Sequence, residues 1–116
     1  MNPNNYASVK ASKRLVEAGI VLQTDHYWAS IDMKHWDLCF IPHKVGFKEY
    51  PAPSMAEVWR ELPHNSVLSM GGDGESWVQV DYDDPQKTLE SVHRSFNPTN
   101  ALIDLLIWLR KEASHE

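Results

Sequence analysis

The stretch that decides the fold is 97-NPTNALIDLLIWLR-110. Asn97 is a favourable N-cap and Pro98 suits the first helical position, so this pair predicts where a helix begins. The apolar residues that follow form a stripe wider than one helix face, made of Leu102, Ile103, Leu105, Leu106, Ile107, Trp108 and Leu109. So broad an apolar surface predicts a helix that is buried on most sides, either against a sheet or partly in a dimer interface.

Upstream of this helix, the stretch 66-SVLSMGGDGESWVQVDY-82 is typical of a β-hairpin. Three of the four residues 71–74 are glycines, which supply the positive φ angles that tight hairpin loops require. In the second strand Val78, Val80 and Tyr82 alternate with larger or polar residues, and we expect them to face the core. The glycine run lacks the lysine of a phosphate-binding loop, so a turn is the predicted structure.

Two helices are predicted before the hairpin. Residues 8–18 have amphipathic spacing, and Gly19 favours a left-handed stop after them. Ser54 and Glu57 have the spacing of a capping box, which predicts a second, shorter helix that ends at Pro63.

Short strands are predicted between these two helices. Residues 27–31 and 36–41 alternate as two strands of a hairpin, and residues 44–50 favour a brief edge strand.

The segment 83–96 allows two interpretations, of which we predict the helix. Leu89, Val92 and Phe96 stand at helical spacing after Pro85, but Thr88, Val92 and Phe96 also suit an extended segment. The elements together predict a single α+β domain over residues 1–116. Its small antiparallel sheet of hairpins carries the C-terminal helix and the N-terminal helix.

Composition and charge exclude several classes of protein. The chain is 42% hydrophobic and 23% charged, which is ordinary for a globular domain. The net charge is −5 and Lys and Arg are scattered, so direct binding of nucleic acid is disfavoured. Residues 1–5 do not resemble a signal peptide, and no apolar run reaches the roughly 20 residues of a membrane span. We therefore expect a cytoplasmic protein that does not bind membranes.

The single cysteine, Cys39, cannot form an intramolecular disulfide. It stands in the apolar run 38–41, and this setting predicts a small buried hydrophobic side chain.

Six histidines raise the question of a metal site, at positions His26, His35, His43, His64, His93 and His115. Neither a structural nor a catalytic zinc spacing occurs among them. Asp25 and His26 could form a surface site with His35 across the predicted hairpin. The acidic run 81–84 lacks the pattern of a calcium-binding loop. We predict no metal and no cofactor, and we assign no catalytic residue.

The aromatic side chains are more numerous than one small core would hide, namely Tyr27, Trp28, Trp36, Trp59 and Trp77. Strand alternation places Tyr27 and Trp28 on opposite faces of the sheet, so at least one ring is expected to be partly exposed. Tryptophan often anchors protein interfaces. Trp28 and Trp36 are therefore the predicted partner-binding or self-association residues, against the alternative that both rings only cover the sheet.

A series of short motifs runs through most of the chain, at residues 15–28, 52–63, 77–82 and 97–109. Its most recognisable parts are Ala18-Gly19-Ile20, Ala52-Pro53-Ser54, Leu62-Pro63 and Asn97-Pro98. In this order the chain resembles short uncharacterised proteins that are encoded in bacteriophages and integrated mobile elements. The resemblance implies a phage or prophage setting and no particular chemistry.

Two functions follow as expectations. The first is a small non-enzymatic accessory protein of a phage or mobile element, which binds a host protein, a phage protein or a second copy of itself. The alternative is a small enzyme or a ligand-binding or metal-binding domain that uses His26, Asp25 or the acidic hairpin end.

Overall fold

The computed structural model describes residues 5–40 and 48–114 and has an α+β architecture. Within these residues there are four helices and two separate antiparallel sheets of three strands each. In chain order the elements are α1 (Val9–Glu17), β1 (His26–Ser30), β2 (Asp37–Phe40), β3 (Lys48–Pro51), α2 (Met55–Trp59), β4 (Ser66–Met70), β5 (Ser76–Val80), α3 (Pro85–Glu90), β6 (His93–Ser95) and α4 (Pro98–Ser114).

Helix α4 is the centre of the molecule, as its apolar stripe predicts. Leu102, Ile103, Leu105 and Leu106 are almost completely buried. The helix contacts α1, α2, β5 and β6. Each fully buried large side chain contributes about 1.5–3 kcal/mol, so α4 supplies much of the stability. No helix in the described ranges has both the length and the apolar character that crossing a membrane requires.

The C-terminal sheet, with strand order β4-β5-β6, packs on this helix. The predicted hairpin is confirmed, with Ser66 opposite Val80 and Met70 opposite Ser76. Val78 and Val80 are buried, as expected for the core face of β5. Gly74 has a φ of 89° in the turn, a value that glycine adopts without strain.

The N-terminal sheet has the strand order β2-β1-β3, and its first two strands are the predicted hairpin. The predicted edge strand is confirmed over residues 48–50, and residues 41–47 lie outside the described part of the chain. The main cluster of buried apolar side chains takes none of its described members from this sheet. The sheet is therefore attached at the side of the core rather than forming it.

The two helices before the hairpin begin where the sequence predicts, and α1 also ends there, but α2 ends at Trp59, before the predicted stop at Pro63. The Ser8 side chain accepts a hydrogen bond from the Ala11 N–H and caps α1. At the other end Gly19 has a φ of 73°, and the Ile20 N–H donates to the Leu15 carbonyl, which closes a Schellman-type stop. Helix α2 begins with the predicted capping box of Ser54 and Glu57.

The segment 83–96 contains both of the predicted alternatives, one after the other. Residues 85–90 form α3, which has no buried side chain, and residues 93–95 form β6. Between them the Ser91 Oγ accepts a hydrogen bond from the Val80 N–H at 2.9 Å. This contact fastens the chain to β5 and turns the following residues into the third strand of the sheet.

Two expectations are corrected. We expected a single sheet, but no strand pairing in the described residues joins β1–β3 to β4–β6. Helix α2 lies between the two hairpins in the chain and packs on α4. The first hairpin pairs with β3, which precedes α2, and the second pairs with β6, which follows it. Cys39 is not buried but partly exposed, because it lies on β2, which is an edge strand with no strand on its outer side in the described residues.

Candidate functional site

Trp28 and Trp36, the residues predicted from the sequence, both have intermediate exposure. The register places Trp28 opposite Leu38 on one side and Tyr50 on the other. Its indole Nε1–H donates to the Ala7 carbonyl at 2.7 Å, which ties the N-terminal sheet to the segment before α1. Trp28 therefore has a structural contact, and its binding role stays a prediction.

Trp36 lies just before β2 and packs against the ring of Tyr50, with 5.3 Å between ring centroids. The two predicted tryptophans thus belong to the same sheet and both neighbour Tyr50. No further feature of their surroundings indicates what would cover them.

The histidine site proposed from the sequence does not form around His26 and His35. His26 lies opposite Phe40 at one end of the hairpin, whereas His35 lies in the turn at the other end. Strands rise about 3.3 Å per residue, so the backbones of the two residues lie roughly 10 Å or more apart along the strand. Within the described ranges no three residues of the metal-binding types come together as a possible metal site.

His26 is part of a different cluster. Its Nε2 lies 3.5 Å from the Tyr6 hydroxyl, and its ring contacts the rings of Tyr6 and Phe40. Asp25 and His26 line one groove of about 520 Å³ together with Arg60 and Trp59. The groove brings the two predicted residues together, and Tyr6, whose hydroxyl contacts His26, lines the same groove.

The acidic run 81–84 has local structural contacts. Asp84 accepts a hydrogen bond from the Gln86 N–H and caps α3. The Asp81 backbone exchanges hydrogen bonds with Asn65 across the hairpin end. These contacts place Asp84 at a helix cap and Asp81 at the end of the hairpin ladder.

An apolar groove of about 540 Å³ lies between α2 and strand β4. Met55, Ala56 and Trp59 form one wall, and residues 66–68 form the other. The Trp59 ring is 41% exposed, so it is a large apolar side chain left in contact with solvent beside the groove. Trp59 was one of five aromatic residues noted in the sequence, but no local pattern set it apart from the others.

Strand β4 is an edge of the C-terminal sheet, since it pairs with β5 alone. Hydrogen bonds close the hairpin at Gly71–Glu75 and at Asn65–Asp81. Antiparallel ladders alternate between bonded and non-bonded pairs, so Leu68 and Met70 direct their N–H and C=O groups away from β5. These outward groups meet no strand in the part of the chain that the structure describes.

A further cleft of about 560 Å³, with charged and apolar side chains in its lining, lies between α1 and α4, with His93 of β6 beside it. The two helices run in the same direction there. The Ser8 N–H donates to Asn100 Oδ1, and further along Arg14 Nη2 lies 2.7 Å from Asp104 Oδ1.

Asp104 is the one acidic residue in the apolar stretch of α4. Its side chain is 24% exposed, and burial raises its pKa above the ordinary value, although the charges of Arg14 and His93 act in the opposite direction. His93 Nδ1 lies 2.8 Å from the Ser91 carbonyl, so this nitrogen carries a proton and Nε2 of a neutral ring is an acceptor. Sequence alone cannot reveal this cleft, because its residues come from three distant segments.

Comparisons with protein-family models, with curated proteins and with solved structures gave no match for this chain.

Proposed function

We propose that this protein is a small non-enzymatic interaction module that binds an extended segment of a partner protein at strand β4. The segment adds as a new strand to the free edge of β4 and places an apolar side chain in the groove beside Trp59. The resemblance to phage and mobile-element proteins favours a host or phage protein in the cytoplasm as the partner.

The observation that carries this proposal is the position of the apolar groove directly beside an unpaired strand edge. Strand addition combines main-chain hydrogen bonds, which give affinity, with pockets for alternate side chains, which give specificity. Leu68 and Met70 offer the main-chain groups, and the wall of Met55 and Trp59 offers the pocket.

The surface also suits a partner because its apolar side chains are not hidden. Met70 is 68% exposed, and Val67 and Trp59 are each 41% exposed. An exposed edge strand with apolar residues promotes aggregation through pairing with other chains, in a protein that does not use the edge for binding. Tryptophan is enriched among the residues that dominate binding energy, which makes Trp59 the expected anchor.

The test begins with a displayed library of random peptides, from which binders to the intact protein are selected. The affinity of the selected peptides is then measured for two variants. Trp59→Ala removes the anchor and should weaken selected peptides about 30-fold or more. Met70→Pro removes an outward N–H without breaking the ladder to β5, and should weaken them roughly tenfold. Met70→Ala is the matched control, which keeps the N–H and should retain most of the affinity.

Two results would refute the proposal. One is a set of selected peptides that bind Trp59→Ala and Met70→Pro as tightly as the parent protein. The other is loss of binding in Trp36→Ala instead, which would place the interface on the N-terminal sheet as the sequence predicted. Amide signals of Leu68 and Met70 that become protected from exchange when a peptide binds would support strand addition directly.

A further inference from the structure

The cleft between α1 and α4 shares no lining residue with the groove beside Trp59, so the two are distinct sites. Its volume of about 560 Å³ lies in the range of sites for small molecules. Four charged side chains line it, Arg14 and Lys111 as cations and Glu17 and Asp104 as anions. The formal charges of this set cancel.

The balance of charge limits the ligand. A simple anion would meet two carboxylates, and a simple cation would meet a guanidinium and an ammonium. A molecule that carries one charge of each sign matches the lining without leaving a repulsive contact. Complementary charge of this kind favours a specific ligand more than it favours tight binding as such.

The Arg14–Asp104 contact shows how such a ligand would be held. Arg14 uses Nη2 and Asp104 uses Oδ1 for this pair. The other guanidinium donors of Arg14 and the second carboxylate oxygen of Asp104 have no hydrogen-bond partner in the described residues. An arginine has five donors and a carboxylate about four acceptor sites, so each residue can keep the pair and bind a ligand group as well.

The remaining wall of the cleft is apolar and aromatic. Ala18 lies on the α1 side, and Ile107 and Trp108 lie on the α4 side. The His93 ring lies 6.1 Å from the Trp108 ring and extends this wall. A large apolar side chain on the ligand would be covered here.

We propose that this cleft binds a free α-amino acid with a large apolar side chain. Its carboxylate lies on Arg14, its ammonium group lies on Asp104, and its side chain packs against Ile107 and Trp108.

The test uses four probes that share one apolar body and differ in charge: L-phenylalanine, phenethylamine, 3-phenylpropionate and N-acetyl-phenylalanine amide. Each is titrated into ¹⁵N-labelled protein, and the indole N–H signal of Trp108, assigned with Trp108→Phe, is followed. We expect saturable binding of L-phenylalanine. Each probe that lacks one or both charges should bind more weakly by roughly tenfold or more. Binding of any other probe as tightly as L-phenylalanine, or no saturable shift with L-phenylalanine, would overturn the proposal.

Variants separate the two contacts. Arg14→Gln should weaken L-phenylalanine roughly tenfold and leave phenethylamine unchanged, because only the carboxylate loses its partner. Asp104→Asn should weaken L-phenylalanine and phenethylamine alike, whereas Asp83→Asn, an exposed carboxylate outside the cleft, should change neither. If Asp104→Asn does not fold, Arg14→Gln still decides, since equal loss for both ligands in that variant contradicts the assigned orientation.

Discussion

At the scale of single residues, the turn between β1 and β2 contains an ion pair that is open to solvent. Asp32 Oδ2 lies 2.9 Å from His35 Nδ1, and Asp32 Oδ1 accepts hydrogen bonds from the Lys34 and His35 amides. The hydrogen bond to Asp32 raises the pKa of His35 above its ordinary value of 6.5. The bonds from His35 hold the pKa of Asp32 well below its usual range.

The expected outcome is an NMR titration of His35 whose midpoint falls when Asp32 is changed to Asn, whereas Asp25→Asn leaves it in place. Because the folded pKa of His35 is raised and that of Asp32 is lowered, the pair stabilises the turn fully between their ordinary values of 3.8 and 6.5. That stabilisation is lost as the pH rises through the folded pKa of His35. Both side chains are exposed to solvent, so added salt should reduce the shift. An unchanged midpoint in Asp32→Asn would contradict the assignment.

Asp104 has the opposite linkage, because burial raises the pKa of its carboxyl in the folded state. The folded protein binds this proton more tightly than the unfolded chain, so the free energy of unfolding falls as the pH rises through that pKa. Asn at this position cannot titrate. Urea unfolding at several pH values should show the parent losing stability relative to Asp104→Asn as the pH rises above the ordinary aspartate pKa of 3.8. Parallel stability curves for the two proteins would contradict the prediction.

At the scale of elements, the β4–β5 turn allows a comparison of two glycines in one loop. Gly74 has a φ of 89°, whereas Gly72 does not adopt a positive φ of this kind, and an added Cβ meets nothing within 4 Å at either position. Gly74→Ala should therefore lower the free energy of unfolding by about 1–2 kcal/mol through backbone strain alone. Gly72→Ala should change it little or raise it by about 0.4–1 kcal/mol. Equal effects in urea unfolding would show that φ does not control this turn.

The elements that were predicted from sequence are those whose ends are specified locally. Ser8 and Gly19 bound α1, the capping box of Ser54 begins α2, and the glycine-rich turn sets the β4–β5 hairpin. The segment 83–96 could not be assigned in this way. Its change from helix to strand depends on the Ser91 side chain bonding to Val80, a contact between elements that no periodicity records.

At the scale of the whole molecule, the candidate sites depend on arrangements that the sequence does not reveal. The groove beside Trp59 exists because β4 is an edge strand, and that follows from having two sheets where one was expected. The cleft between α1 and α4 depends on the ion pair of Arg14 with Asp104, which lies ninety positions later in the chain. Sequence reasoning identified residue types suited to binding, but which of them share a surface is set by packing over long separations.

The two sheets differ in how they are joined to the core, and this difference predicts how the protein opens. The C-terminal sheet contributes Val78 and Val80 to the main apolar cluster around α4, whereas the N-terminal sheet contributes none of its described residues. That sheet is joined to the rest of the described chain by a few contacts, among them the Trp28 indole bond to Ala7 and the packing of β3 on α1. Regions with little buried apolar contact open at lower free energy than the whole molecule.

Native-state hydrogen exchange should therefore show amides of β1 and its partners exchanging through a partial opening, while amides of β5 and α4 exchange only on global unfolding. Trp28→Phe removes the bond to Ala7 and should lower the opening free energy of the N-terminal sheet by about 0.5–1.5 kcal/mol, with little effect on α4. Leu105→Ala, in the core, should lower the global value by about 2–5 kcal/mol. Equal protection of the two sheets, or equal loss in both after Trp28→Phe, would mean that they unfold as one cooperative unit.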